Sequence, residues 1–204
     1  MESKSWLALK AIRVKYGDIE DYENFEEYYE RIKIKTEFSH IPEIVFEQWL
    51  WAHIDKEESI TNYGWLNYEE IEFELCSWTT NQLININVIE SYRDYYKNRA
   101  SYNDLNTFCC TDKDLKVWKK RGTWRTPPII LDVQSISEEI PNWCEIVPPY
   151  QLVEGHSRLG YLKSMVTIDK LGKGKVAEKH NIYVMRLRCT NDNSGHNGFE
   201  QLAK

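Results

Sequence analysis

No stretch of these 204 residues approaches the ~20 consecutive apolar positions that a membrane-spanning helix requires. The opening Met-Glu-Ser-Lys-Ser-Trp lacks the apolar block of a secretory signal, so a cytoplasmic protein with no membrane partner is expected. Zinc spacing is missing as well. The five cysteines at 76, 109, 110, 144 and 189 form no CxxC pair and no Cys/His cluster. Adjacent Cys109 and Cys110 cannot easily serve one tetrahedral centre, so reduced thiols and no structural metal are expected. There is no internal repeat. The Gly172-Lys-Gly-Lys175 loop is too short for a phosphate-binding P-loop and no Ser or Thr follows it, so Lys173 and Lys175 read as solvated.

Aromatic residues, in contrast, are abundant: eight Trp and thirteen Tyr supply large amphipathic rings for a core or a contact surface. Apolar content of 42% and charged content of 28% are those of an ordinary globular chain, long enough for one or two domains. The charge of −6 is unevenly spread. Residues 1–117 hold 23 acidic and 13 basic side chains, net −10, whereas residues 118–204 hold 9 and 13, net +4. A protein that coats DNA is more often basic throughout, which argues against nucleic acid. The basic half suits nucleotide phosphates, and the acidic half suits a basic protein partner.

The pattern predicts an α+β chain. Residues 1–120 read as an acidic, aromatic-rich helical region packed on a small mixed sheet in 121–190, with a polar tail over 191–204. Tyr22–Ile34 carries a helical stripe of Phe25, Tyr28, Tyr29 and Ile32. Pro42 opens a helix to His53, with Glu43 and Glu47 near its start. Tyr68–Leu83 is a third helix candidate through Ile71, Leu75 and Trp78, and Ser91–Asn98 and Asp112–Lys120 are short helices. Over Leu83–Ile89 strand competes with helix. A boundary is placed near 118–125, where composition shifts and Arg121-Gly-Thr123 breaks the pattern. Strands follow Pro128 and span 150–153 and His180–Arg188, with a helical turn at Ser137–Ile140 and a helix at Ser157–Val166. Trp49, Trp51, Trp65 and Trp78 are read as core rather than as a base-stacking platform.

Chemistry concentrates between Tyr150 and Met165. A strand ends at Val153, the chain turns at Gly155, and a helix begins, so Glu154, His156, Ser157 and Arg158 crowd one corner. Free amides at a helix start beside a guanidinium make a ready anion site. Ser157 lacks the glycine two residues on that a nucleophile elbow needs. His40 and His53 are too isolated to argue for a metal.

Three segments, Pro128-Ile-Ile-Leu-Asp132, Leu152-Val-Glu-Gly-His-Ser-Arg-Leu-Gly-Tyr-Leu162 and Ile182-Tyr-Val-Met-Arg186, give the region 125–188 a resemblance to the ParB/sulfiredoxin-like nucleotide-binding fold. Residues 1–117 resemble nothing comparable. The resemblance implies that Gly155, His156, Ser157 and Arg158 contact the phosphates of ATP or CTP. Glu154 and His156 are then the catalytic candidates, and Asp132 and Glu154 are the candidates to hold Mg2+ arriving with the nucleotide. Sulfiredoxin-like members carry a reactive Cys directly after the glycine, where this chain has His156, which excludes sulfinic-acid reduction. ParB proper carries Glu-Arg-Arg there and a DNA-reading domain downstream; here Arg158 stands alone before a short tail, so a chromosome-partition ParB is not expected. Free-serine kinases of this fold have carboxylate-Gly-His-His-Arg, nearer to Glu154–Arg158 but for Ser157.

The expected function is therefore binding of a nucleoside triphosphate at Glu154–Arg158, with hydrolysis or phosphate transfer as its chemical extension. The alternative is an immunity or antitoxin-like protein that neutralises a bacterial toxin without catalysis, its acidic aromatic half docking on a basic nuclease. A DNA-binding or nuclease-related protein is a weaker third reading, set against the negative charge.

Overall fold

Ser3 starts the first helix, its hydroxyl accepting from the Trp6 amide at 3.1 Å. The computed structural model describes residues 1–16, 21–136 and 139–188. Of the turn expected at Ser137–Ile140 the first two residues lie outside these and the other two are not helical, and the tail 191–204 lies outside them as well. Helix α1 (Lys4–Ile12) leads through an antiparallel pair, β1 (Lys15–Tyr16) and β2 (Asp21–Tyr22), into α2 (Phe25–Ile32). Asn24 caps α2, and Glu26 and Glu27 favour its positive end. The aromatic stripe buries Tyr28 and Ile32 completely. From Pro42 the chain is helical to His53, as α3 (Glu43–Val45), a π-helical turn (Phe46–Leu50) and α4 (Trp51–His53). The π turn advances the helix phase and so re-aims the residues after it. Helix α5 (Glu57–Tyr63) follows.

The helix expected over Tyr68–Leu83 does not form. Strand β3 (Ile71–Thr79) takes its place, and only the short α6 (Thr80–Leu83) is helical, opened by a Thr79/Gln82 capping box. Ile71, Phe73 and Leu75 alternate with Glu72 and Glu74, a period of two that decides the strand. Over Leu83–Ile89 the competing strand reduces to a single bridge between Asn87 and Gln151. Then come α7 (Glu90–Ala100), α8 (Asp112–Arg121), β4 (Ile129–Asp132), β5 (Tyr150–Glu154), α9 (His156–Lys170) and β6 (Lys179–Leu187). The architecture is α+β.

The four main strands order as β3-β6-β4-β5, so the sheet draws its first strand from the chain before the boundary near 118–125. β4 runs parallel to β6 and antiparallel to β5, and β3 runs antiparallel to β6. Each face carries a core. Ile129, Leu131, Val153 and Met185 pack against the N-terminal helices, around Trp6, Trp49, Tyr63 and Tyr68. Ile130, Leu152, Ile182 and Val184 pack against α9 and the Phe108–Trp118–Tyr161 cluster. The Tyr63 hydroxyl donates to Leu152 O at 2.9 Å and ties the helical half to the central strands. Among the four tryptophans expected in the core, Trp49 is fully buried, whereas Trp51, Trp65 and Trp78 are half-buried.

Candidate functional site

β5 meets β4 with a bulge: Ile130 pairs with Leu152 and Ile129 with Glu154, leaving Val153 as the extra residue. Such a bulge re-aims the strand end, here Glu154, just before the chain turns. The turn is Gly155, at φ +106°. A Cβ there would come within 2.5 Å of Pro128 Cβ and 3.1 Å of Arg158 Nε, so the corner admits only glycine. Because glycine caps α9 without a side chain, the amides of His156, Ser157 and Arg158 have no hydrogen-bond partner among the described residues.

This corner forms one wall of a cavity of about 870 Å³, within the ~300–1,000 Å³ typical of small-molecule sites. Trp51 and His53 from α4, Tyr92 and Tyr95 from α7, and Asp114 and Trp118 from α8 line the rest, with Arg125 and Lys56. All five residues from Glu154 to Arg158 line it too.

The Arg158 guanidinium donates to Glu154 Oε1 at 3.2 Å and to Thr126 O at 3.2 Å. The other carboxylate oxygen, Oε2, lies 3.6 Å from His53 Nε2. Burial pushes the Glu154 pKa up, and the adjacent Arg158 pulls against it. Burial also lowers Arg158, with Glu154 opposing. The two imidazoles are driven strongly to the neutral form. His53 falls to about 4 through burial and the neighbouring Lys56, and His156 to about 3 through burial, His53 and Arg158. The His156 ring packs 4.3 Å from the Tyr92 ring, and its Nε2 is buried without a partner. Ser157 Oγ and the Tyr95 hydroxyl share a hydrogen bond of 2.7 Å. Arg125 donates to Asp114 Oδ1 at 2.8 Å, next to Thr126, whose carbonyl accepts from Arg158.

Not every expected site residue reaches this corner. Asp132 pairs with Tyr150, at the far end of β5 from Glu154, because β4 and β5 run antiparallel. Three strand steps of ~3.3 Å put it roughly 10 Å from the turn, so Asp132 and Glu154 do not form one metal site. Among the described residues no group of three or more His, Cys, Asp or Glu side chains is placed to hold a metal. Lys175 lines a separate cleft with Lys119, Lys120 and Arg121, outside the cavity. In the other direction, His53, Tyr92, Tyr95, Asp114 and Arg125 join the site without any local motif announcing them. Their only sequence trace is membership of the helices at 42–53, 91–98 and 112–120 and, for Arg125, of the boundary region near 118–125. No protein-family model, curated protein or solved structure matches the chain.

Proposed function

We propose that the cavity binds a nucleoside triphosphate, ATP or CTP, in the manner of the ParB/sulfiredoxin-like proteins that residues 125–188 resemble. One observation carries this reading: an uncapped helix start, turned by a glycine, opens beside Arg158 into a cavity of nucleotide size. The three free amides and Arg158 bind the phosphates, with Arg125 and Lys56 of the cavity lining adding positive charge. The rings of Trp51, Tyr92 and Tyr95 offer apolar faces to the base.

Of the two expected carboxylates only Glu154 lines the cavity, so Glu154 would be the residue to hold Mg2+ arriving with the nucleotide. When bound, the ion neutralises phosphate charge. Without it, Glu154 repels the ligand unless protonated, and its raised pKa lowers that barrier. In hydrolysis or phosphate transfer, Glu154 accepts the proton of the attacking water or hydroxyl as that oxygen bonds to the γ-phosphorus and the β–γ bridging P–O bond breaks. Arg158, donating to Glu154 Oε1 at 3.2 Å, holds the carboxylate's position, with neutral His53 beside its other oxygen. His156, neutral and deeply buried, serves as a hydrogen-bonding group rather than as a proton donor.

Arg158→Gln tests the assignment by calorimetric titration with ATP and CTP in Mg2+. Loss of a bidentate guanidinium contact is expected to weaken binding about 10- to 100-fold, with the near-ultraviolet circular dichroism of the tryptophans unchanged. Unaltered affinity in a folded variant would remove Arg158 from the site.

A further inference from the structure

β3 is the outermost strand of the sheet, and no described residue pairs with its free side. The ladder to β6 fixes which of its backbone groups are exposed. Beyond its two ends, Arg188 N donates to Glu70 O at 2.8 Å and Thr80 N donates to Glu178 O at 3.1 Å. In the antiparallel register, with Glu72 opposite Arg186 and Cys76 opposite Ile182, the even-numbered residues therefore exchange backbone bonds with β6. The odd-numbered residues turn their amides and carbonyls outward. At Thr79 the outward amide is taken by Gln82 Oε1 at 2.9 Å, and at the other end the Ile71 backbone meets His40. Phe73, Leu75 and Ser77 keep theirs free among the described residues, a run of about 13 Å of unpaired strand.

The side chains along this edge say what would cover it. Glu69, Glu70, Glu72 and Glu74 approach or line it, and Leu75 is 55% exposed. The nearby cations are Lys179 opposite Thr79, Arg186, already bonded to Glu74 at 3.0 Å, and Arg188 at the Ile71 end near His40, so none faces the free run at 73–77 from outside among the described residues. The edge carries no lysine and no proline, the residues that commonly guard such strands. A second copy laid antiparallel along the free run would bring the two Glu74 side chains together as diagonal neighbours and supply no cation of its own from that edge. A strand bearing cations would meet both the free backbone groups and the carboxylates.

We propose that the β3 edge takes up, as an added strand, an extended segment of a partner protein with lysine or arginine at alternate positions. Main-chain bonds to Phe73, Leu75 and Ser77 supply the affinity, and Glu72 and Glu74 select the charge. This inference is independent of whether the cavity binds a nucleotide.

Amide exchange of the full chain, followed by NMR with and without an acetylated Lys-Val alternating peptide as long as β3 (nine residues), tests it directly. In the free protein the amides of Phe73, Leu75 and Ser77 are expected to exchange fast and those of Glu72, Glu74 and Cys76 slowly. Added peptide should slow the first three about tenfold or more, and a Glu-Val peptide should not. Glu72→Lys with Glu74→Lys should weaken peptide binding about tenfold. Ser77→Pro should weaken it too, because it removes an outward amide while leaving every bond between β3 and β6. Retained slow exchange along β6 certifies that either variant is folded, and if neither folds the wild-type exchange pattern decides alone. Slow exchange at 73, 75 and 77 in the free protein, which an intramolecular or second-copy cover would produce, overturns the proposal. So does peptide binding that leaves these three amides unprotected.

Discussion

Gly155 holds the site open because only a residue without Cβ can adopt φ +106° while Pro128 and Arg158 press on it. Gly155→Ala is accordingly expected to destabilise the fold by at least roughly 1–3 kcal/mol from backbone strain, measurable by urea unfolding, and to displace Arg158. The histidines give a second handle. Folded-state pKa values of about 3 for His156 and about 4 for His53 and His180 lie below the ordinary 6.5. Between about pH 4 and 6.5 the unfolded chain thus binds more protons, and stability falls as pH falls through that window. Glu154, shifted upward, opposes this in the lower part of the window. A melting temperature level above pH 7 and dropping toward pH 4.5 is expected, with a shallower drop in His156→Gln. An identical slope in that variant would show that His156 is not buried neutral. At this scale the corner Glu154–Arg158 was legible in the sequence, since glycine between a strand and a helix start announces itself locally. His53 was not, because it is 101 positions away and only the fold brings it to Glu154.

Between elements, α9 is the pivot of the site. Its Gly160 lies so close to α7 that a Cβ would come within 2.6 Å of Arg99 Cβ and 2.9 Å of Tyr96 O, and Ser164 Oγ donates to Arg99 O at 2.7 Å. Helix α7 carries Tyr92 and Tyr95 into the cavity, so Gly160→Val should push α7 away, cost roughly 1–3 kcal/mol and loosen ligand binding. Unchanged stability and affinity would mean that α7 does not depend on this contact. The strongly patterned elements were readable: the helices at 42–53 and 112–120, the strand after Pro128 and the alternating strand from His180. β3 was misread because Ile71, Leu75 and Trp78 fit a helical stripe, while Phe73 completes the alternation that pairing with β6 rewards. The π turn at Phe46–Leu50, which precedes the residues aimed at the cavity, left no mark in composition.

Across the whole molecule, one sheet separates two cores, and successive residues of β4 point to opposite ones, Ile129 and Leu131 to the first, Ile130 to the second. Gln48 reaches Pro127 O at 3.1 Å and Tyr63 reaches Leu152 O, so the helical half is fastened to the strands that carry the site. Heating is expected to give one transition, with tryptophan fluorescence and far-ultraviolet circular dichroism sharing a midpoint; two separated midpoints would show that the cores unfold independently. Among the described residues no helix is long and apolar enough to cross a membrane. Thermal unfolding with ATP, CTP, GTP or UTP in Mg2+ decides whether the cavity at the start of α9 takes a nucleoside triphosphate. A triphosphate at 100 times its dissociation constant should stabilise the chain by about 2.7 kcal/mol, and the 10- to 100-fold weaker binding of Arg158→Gln should cut that to about 0.4–1.4 kcal/mol at the same concentration. A melting temperature unmoved by all four nucleotides would mean that the cavity takes none of them.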